Sequence, residues 1–536
     1  MGALSEIFTA GYVALAGITG FFLVFLGFLV VISDYIDGWR SRRALGDIPI
    51  VDEGSNLSPI LRWNSQPYDA EAEFTRAYYK YSKNGKPFAA RIQHGGYAIV
   101  LPPSACRKVR SIGHEQLSFL DALAEFADLS LHMDVTSRRV IEATHACNNE
   151  TTIKNFQERL ALECGKHLAP VFDPPQEQES TELKTLKSVF AAISAVATAL
   201  ILGPDCPEAL VSEVTAGATA YNEVMIQCRI LRAQYPKILK PLVWRFSRTA
   251  RELRAILSRL KARLVPEIKR RIAYLEAHST SENQAESAGS FSLLDILIQT
   301  SFKNRHLPST PVENDKWADL LCQQALLYHF KLSRAPGTSV TFMLYRVMNH
   351  PEYATMLRDE MIAALKPSGG NWTADILQRA PKLESFNKET FRMHDISNFV
   401  GLRVAMRPVD LRSVSPPLHL KPGTMIMTPS RTVHYDAEHY VDPLTFNGLR
   451  FYDATSNTCT PRVFTTSPTY LPFSHGTGSC PARNFATQIA RMLFIRLLMG
   501  YEFELANEEM PAYGLMDGTA YFPNPEVRMR VRVRGK

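Results

Sequence analysis

The chain has 536 residues, of which 46% are hydrophobic, and its formal net charge at pH 7 is +7. The length exceeds the usual size of one domain, but no linker, repeat or low-complexity tract separates two folded halves. The charge is modest and basic residues are interleaved with acidic ones, so we expect no nucleic-acid partner. The eight cysteines lack C-x-x-C pairs and regular spacing. This argues against a disulfide framework or a zinc site and indicates a reducing compartment.

The N-terminal region predicts a membrane anchor. Residues 10–32 contain no charged side chain, and at about 1.5 Å per residue a helix of this length spans about 34 Å, enough to cross a bilayer core. A cleaved signal peptide would begin with basic residues, whereas Arg40, Arg42 and Arg43 follow the apolar run. We expect a lumenal tail at 1–9, a single transmembrane helix at 10–32 in the endoplasmic reticulum membrane, a linker at 33–60 and a cytosolic domain at 61–536.

Hydrophobic periodicity predicts a mainly α domain with small peripheral β-sheets. An apolar run at 189–202 is too short to cross a bilayer and predicts a buried helix. Residues 228–254 mix apolar and basic side chains around two prolines and predict a pair of short packed helices. The main predicted helices are 70–81, 180–202, 210–234, 249–277 and 317–348, and the main predicted strands are 88–92, 98–101, 403–406, 424–427 and 521–534.

One cysteine stands in a distinctive loop, Phe473-Ser-His-Gly-Thr-Gly-Ser-Cys480-Pro-Ala-Arg483, ahead of an apolar helical pattern. The pattern predicts that the loop presents Cys480 at the start of a helix, with Pro481 at the first helical position. There the helix dipole and backbone N–H groups favour a thiolate, the form of cysteine that ligates metals. The alternative is a buried cysteine that only packs.

Two further motifs accompany this cysteine. Glu389-Thr-Phe-Arg392 places an acid and a guanidinium three residues apart on a predicted helix. Phe446-Asn-Gly-Leu-Arg450-Phe451 then places another arginine in an aromatic loop. An isolated E-x-x-R is common on solvated helices, but the three motifs in this order resemble the cytochrome P-450 superfamily of haem-thiolate monooxygenases, from about Leu61 to the C-terminus.

The resemblance implies the cytochrome P-450 fold with haem b as its cofactor. Cys480 would be the axial thiolate ligand of the iron, in a loop that also contacts the haem through Phe473 and Gly476. Glu389 would join the two arginines, Arg392 and Arg450, in a buried structural triad.

The resemblance also implies a redox partner and a substrate class. Electrons would come from a separate NADPH-dependent reductase in the same membrane, since the chain has no G-x-G-x-x-G or flavin-binding segment. Arg483 and Arg491 are candidates for contact with that reductase, and a structural role within the helix is the alternative for Arg483. The stretches 434–443 and 467–473 most resemble fungal membrane enzymes of secondary metabolism, which implies a hydrophobic terpenoid, indole-diterpene or polyketide-derived substrate.

The long helix at 317–348 departs from the pattern of the family. The family has a small residue pair and then an acid or amide beside a threonine, whereas this chain has Ser333-Arg-Ala-Pro336-Gly337-Thr338-Ser339. Pro336 removes a helical hydrogen bond and is expected to kink the helix, with Gly337 leaving room for dioxygen. The usual threonine falls at Pro336, about 200° around the helix from Thr338. The hydroxyl that delivers protons must then come from Thr338 or Ser339, unless both are structural.

The cysteine loop departs from the family as well. Gly478 stands where a basic residue usually binds a haem propionate, and Ala482 stands where glycine is usual. Arg403, His132 and His475 are candidates to replace the missing cation, and a surface role is the alternative for His132.

Three functions remain open at this stage. The first is an oxygen-activating monooxygenase. The second is a haem-thiolate enzyme that rearranges, dehydrates or cyclises its substrate without ordinary oxygen activation, as the Pro336 departure suggests. The third is a non-enzymatic haem or scaffold protein, as the altered cysteine loop suggests.

Overall fold

The computed structural model describes residues 2–51, 69–92, 96–105, 109, 111–126, 150–278, 292–303, 311–412, 414–517 and 520–535. Within these residues the protein is mainly helical with small sheets, which confirms the predicted fold class. The helices are α1 (Gly2–Arg43), α2 (Ala70–Lys80), α3 (Phe119–Phe126), α4 (Glu150–Lys166), α5 (Ala169–Phe172), α6 (Thr185–Leu202), α7 (Glu208–Ala233), α8 (Lys240–Phe246), α9 (Arg248–His278), α10 (Leu293–Lys303), α11 (Pro311–Asn349), α12 (Pro351–Leu365), α13 (Pro381–Met393), α14 (Arg431–His434) and α15 (Arg483–Gly500).

The strands form one six-stranded sheet and several smaller ones, and the largest sheet has the order β1-β2-β3-β9-β6-β4. A second sheet joins β12, β15 and β5. The strands are β1 (Ile50–Val51), β2 (Phe88–Arg91), β3 (Tyr97–Val100), β4 (Leu117–Ser118), β5 (Ser180–Lys184), β6 (Phe399–Ala405), β7 (Val409–Leu411), β8 (Leu418–Leu420), β9 (Met425–Pro429), β10 (Tyr452–Asp453), β11 (Thr458–Cys459), β12 (Tyr501–Leu505), β13 (Gly514–Asp517), β14 (Ala520–Pro523) and β15 (Arg528–Val533).

Helix α1 has the length and composition of a membrane anchor. Its part from Thr19 to Arg43 is apolar and almost entirely unpacked, and Phe21 is 74% exposed. At its C-terminal end, Arg42 Nε donates to the Tyr97 hydroxyl at 2.8 Å, and the helix also contacts the turn Lys237–Leu239. Residues 33–43 of the predicted linker are therefore helical, whereas residues 52–60 lie outside the described part.

The apolar helix α6 is a core helix, as its length predicts. It meets the same hydropathy test as α1, but 67% of it is buried. The predicted helix at 180–202 is wrong in its first turn, because Ser180–Lys184 forms strand β5 and pairs with β15 in antiparallel register. Such a pairing depends on residues about 350 positions away in the chain, so local periodicity does not reveal it.

Two other predicted elements also differ from the structure. The predicted strand at 521–534 is two strands, β14 and β15, with Asn524 and Pro525 in the turn between them. The predicted pair of short helices at 228–254 is the end of α7, the 3₁₀ turn Lys237–Leu239, the seven-residue helix α8 and the start of α9. Prolines at 236 and 241 stand at the starts of the two short elements, where no N–H partner is needed.

The long helix α11 packs against α6 through a glycine. It runs from Pro311 to Asn349 and passes through Pro336 without ending. A Cβ on Gly337 would lie 2.7 Å from two ring atoms of Phe190 and 3.2 Å from Ile193 Cγ2. Gly337 therefore permits the close approach of the two helices, since interiors at native packing density have no room for an added methyl group.

Strand β6 carries Arg403 next to the cysteine loop. Its pairing with β9 is interrupted by a bulge between Val400 and Arg403, and Gly401 within that bulge has a φ of +67°. A Cβ on Gly401 would lie 3.2 Å from Ser474 Oγ, so the bulge and the loop are in contact. A bulge redirects side chains locally, and here it directs Arg403 towards the loop.

We expect Gly337→Ala to destabilise the fold by about 1–2 kcal/mol, because overpacking against Phe190 outweighs the better helix propensity of alanine. Urea unfolding of the detergent-solubilised protein measures this. Gly500→Ala, at the end of α15 with nothing within 4 Å of its Cβ, is the control and should be neutral or slightly stabilising. Equal stability of the Gly337→Ala variant and the unchanged protein would contradict the close packing.

Candidate functional site

The cysteine loop is held by its own backbone. The N–H of Cys480 donates to the carbonyl of Phe473 at 2.8 Å, and the N–H of Ser479 donates to that of Gly476 at 2.9 Å. Ser474 and Gly476 both have positive φ angles, +58° and +82°. The glycine adopts this conformation freely, whereas Ser474 is held in it by the surrounding structure. The loop thus fixes the direction in which Cys480 points.

Helix α15 begins shortly after the cysteine, but later than predicted. Pro481 and Ala482 form a turn, and the helix starts at Arg483. Burial raises the pKa of the Cys480 thiol. A hydrogen bond from the N–H of Ala482 and the charges of Lys331 and Arg483 act in the opposite direction and favour the thiolate. The predicted stabilisation by backbone N–H groups is present, and desolvation is the larger effect.

Phe473 connects the loop to helix α13. Its ring lies 5.0 Å from that of Phe391, centre to centre, at an angle of 60°. Two residues further along the loop, His475 Nδ1 and the Thr466 hydroxyl form a hydrogen bond of 2.9 Å. Because His475 already has this partner, it is a weaker candidate than Arg403 to replace the missing cation of the loop.

The predicted triad is assembled around Glu389. Arg392 Nε donates to one carboxylate oxygen of Glu389 at 2.7 Å and its Nη2 donates to the other at 2.8 Å. Arg450 Nε lies 3.0 and 3.1 Å from the same two oxygens. Both guanidinium groups also donate to backbone carbonyls, Arg392 to His434 and Pro443 at 2.7 Å and Arg450 chiefly to 441–445. These bonds satisfy the buried charges and fix the segment that leads to the cysteine loop.

A second buried ion cluster lies one turn earlier on α13. Glu384 accepts from Arg462 Nε at 2.7 Å and pairs with Arg491 Nη1 at 3.3 Å. Arg491 is fully buried, so its suggested contact with a reductase is wrong. Arg483 likewise turns inward and donates to the carbonyls of Phe464 and Cys480.

Arg403 fills the space that a side chain at position 478 would occupy. A Cβ on Gly478 would overlap Arg403 Nη2 and lie 2.8 Å from its Cζ. Arg403 is buried, and burial lowers its pKa. Within the described residues it makes no hydrogen bond or ion pair. A cation from strand β6 thus lies beside the cysteine loop, and it has no anionic partner among the described residues.

The candidate proton donors on α11 have different surroundings. Ser339 Oγ accepts a hydrogen bond of 3.1 Å from Asn387 Nδ2, so it lies against α13. Thr338 is 8% exposed and its hydroxyl has no partner within the described residues. Arg334 lies over the ring of Phe190, 4.8 Å from its centre. Burial lowers the pKa of Arg334, and the charge of Glu223 acts in the opposite direction. His132, the remaining candidate, lies outside the described residues.

Lys331 on α11 lies within electrostatic range of Cys480. The two groups influence each other's pKa, the lysine favouring the thiolate and the cysteine favouring the ammonium. Lys331, Ala335 and Thr338 are spaced four and seven residues apart and share one face of the helix. Arg403 thus lies at the cysteine loop beside Gly478, and Lys331 lies within electrostatic range of Cys480. The arginines that Glu389 pairs with fix the segment that leads to this loop.

Comparison with known proteins agrees with this geometry. The family model for cytochrome P-450 matches residues 333–527. Cytochrome P-450 monooxygenase afvE of Aspergillus flavus is 42% identical over 478 residues, which are 89% of this chain and 98% of that protein. The chain belongs to the cytochrome P-450 family.

Other relatives are fungal enzymes of the same family. Bicoumarin synthase ktnC of Aspergillus niger is 44% identical over 77% of this chain and 96% of its own length. Cytochrome P-450 monooxygenase cpsD of Aspergillus campestris is 32% identical over 94% of this chain and 91% of its own length. The predictions of an oxidoreductase with haem and an axial thiolate, related to fungal secondary-metabolite enzymes, are confirmed.

The residues of this cytochrome P-450 fit a haem. Cys480 supplies a thiol with an N–H donor behind it, and Arg403 supplies a buried cation without a counter-ion in the described part of the chain. A propionate is the anion that such a cation would bind. Lys331 belongs to none of the motifs found in the sequence. The sequence feature that indicates it is a cation on the helical face that also contains Ala335 and Thr338.

Glu389→Gln should lower the free energy of unfolding by about 3–5 kcal/mol, because it leaves the buried guanidinium group of Arg392 and the half-buried one of Arg450 without their charge partner. Urea unfolding checks this. Glu504→Gln breaks an exposed pair with Arg532 and is the control, with an expected change of at most about 1 kcal/mol. If the two variants were equally stable, the triad would have no structural importance.

Proposed function

We propose that this cytochrome P-450 is a membrane-anchored monooxygenase that oxidises a hydrophobic fungal secondary metabolite. The overall reaction would be RH + O₂ + NADPH + H⁺ → ROH + H₂O + NADP⁺, with electrons passed one at a time from a separate NADPH-dependent reductase. The observation that carries the proposal is the placement of Cys480. Its thiol accepts a hydrogen bond from the Ala482 N–H, and Lys331 of α11 lies within electrostatic range of it.

Within this proposal, the roles of the individual residues follow from their contacts. Cys480 would ligate the iron, with the Ala482 N–H and Arg483 favouring its thiolate form. Arg403 would bind a propionate from the side of β6, and Phe473 would hold the loop through its contact with Phe391. When bound, the haem supplies the oxygen-activating chemistry.

For proton delivery we favour Thr338 over Ser339. Thr338 shares the face of α11 that is turned to Cys480, and its hydroxyl is free of partners within the described residues. Ser339 lies about 80° from Lys331 around the helix and is engaged by Asn387. Its contact with α13 suits a structural role.

Among the substrate classes open to this family, the relatives favour an aromatic one. The name bicoumarin synthase denotes an enzyme whose product contains two coumarin units. An aromatic substrate of the polyketide-derived class is therefore our proposal over a terpenoid or an indole-diterpene. The enzyme would lie in the endoplasmic reticulum membrane, anchored once through α1, with the catalytic domain in the cytosol.

Replacing the proposed ligand should abolish the haem-thiolate spectrum. We expect dithionite-reduced membranes to give the carbon monoxide difference band typical of thiolate ligation, and Cys480→Ala to lose it. Cys459→Ala, which replaces another buried free thiol, should retain the band. With reductase and substrate present, product formation should require NADPH; turnover without NADPH would instead favour a rearranging or dehydrating enzyme. Folded protein with no haem signal would exclude both enzymatic functions.

Arg403 and Gly478 permit a reciprocal test of propionate binding. Arg403→Ala should weaken haem retention by about 10- to 100-fold, since it removes a charge-assisted contact. Gly478→Arg should also weaken it, because the new side chain overlaps Arg403. The double variant should recover retention, with the cation now supplied by the loop. The haem-to-protein ratio after dialysis measures this, and the exposed Arg412→Ala serves as the control. Full haem content in Arg403→Ala would exclude the assigned role.

A further inference from the structure

The face of α11 that is turned towards Cys480 contains a cation that the reaction itself does not require. Lys331 is half-buried, and its Nζ lies 5.8 Å from the centre of the Tyr328 ring. It has no ion pair and no hydrogen bond with any residue that the structure describes. Burial lowers its pKa, because removing a charge from water without a partner is unfavourable.

Other buried or half-buried cations on α11 and α13 have partners. Arg334, one turn further along α11, has the Phe190 ring and the charge of Glu223. Arg346 donates to His394 Nε2 at 3.0 Å and lies 3.9 Å from the ring centre of Tyr513. Lys388 donates to the carbonyl of Pro461. Among the described residues, Lys331 differs from Arg346 and Lys388 because its ammonium group has no hydrogen-bond acceptor, and it differs from Arg334 because no carboxylate raises its pKa.

The position of Lys331 determines what can become its partner. It lies within about 40° of Ala335 and about 20° of Thr338 around α11, on the side where the substrate of a Cys480-ligated haem would bind. The cation proposed for the propionate, Arg403, is on β6 beside Gly478, at the cysteine loop. The anion that Lys331 lacks is therefore expected on the substrate.

We propose that Lys331 determines substrate specificity by binding an ionised oxygen of the substrate, a phenolate or an enolate. The inference rests on the proposed function and names the chemical class of its substrate: an apolar aromatic compound with one acidic hydroxyl group. The ammonium donates to that oxygen and places the ring over the iron. The contact is charge-assisted in a site of low polarity, where such bonds are strongest.

A matched pair of ligands tests the contact without turnover. Umbelliferone carries an acidic phenol, and its methyl ether, herniarin, has the same ring system but cannot ionise. We measure binding of both to the detergent-solubilised holoenzyme from their fluorescence, above the pKa of the free phenol. The variants are Lys331→Met, which keeps the apolar length of the side chain, and Lys331→Arg, which keeps the charge. Lys316→Met, at an exposed position of the same helix, is the control.

We expect the unchanged protein to bind umbelliferone about 10- to 100-fold more tightly than herniarin. Lys331→Met should remove this preference and leave herniarin binding unaltered, whereas Lys331→Arg and Lys316→Met should retain the preference. Equal affinities for the two ligands in the unchanged protein, or an equal loss of both in Lys331→Met, would overturn the proposal.

Two spectroscopic results would assign Lys331 differently and also overturn the proposal. A nitrogen-ligated ferric spectrum that disappears in Lys331→Met would make the lysine an iron ligand. A reduced haem content in Lys331→Met would make a propionate its partner. Failure of the proposed function is distinguishable, because the unchanged protein would then lack the thiolate-type carbon monoxide band whichever ligand it bound.

Discussion

The carboxylate of Glu389 is the group on which the architecture of the site depends. It pairs with the buried Arg392 and the half-buried Arg450, and those arginines bind the carbonyls of 434–445. From that segment the chain continues into the cysteine loop, which also contacts α13 through the rings of Phe391 and Phe473. Removal of one member of such a network leaves the others desolvated and unpaired, so the network behaves as a unit.

The local motifs were predictable from the sequence because each depends on residues that are close in the chain. Glu389 and Arg392 are three residues apart on one helix, and the glycines that precede Cys480 indicate a loop before α15. The position of α11 also followed from its periodicity. Strand β5 did not, because a run such as Ser180–Lys184 becomes a strand only when β15 pairs with it. The alternation of polar and apolar side chains in this run extends over only three residues, whereas the helical pattern that follows is longer.

The correction at Arg491 has a similar cause. A basic residue in the middle of a helix has the same sequence signature whether it faces water or a buried carboxylate. Here Glu384 is more than one hundred positions away, and the two meet only after α13 and α15 pack. The approach of Arg403 to the cysteine loop is also non-local. The space beside Gly478 is filled from β6, and the bulge at Gly401 is what brings the strand close enough.

The face of α11 that contains Lys331 presents a half-buried cation with no ion pair among the described residues, and this has a consequence for specificity. An apolar cavity distinguishes weakly between aromatic compounds of similar size, since one methyl group changes the binding free energy by only about 1–3 kcal/mol. A desolvated ammonium distinguishes strongly, because a ligand without an acidic oxygen leaves it unpaired. Lys331 would thus select among substrates that enter equally well from a membrane. In such an enzyme, the apolar contacts set how tightly a class of compounds binds, and the lysine sets which member is held over the iron.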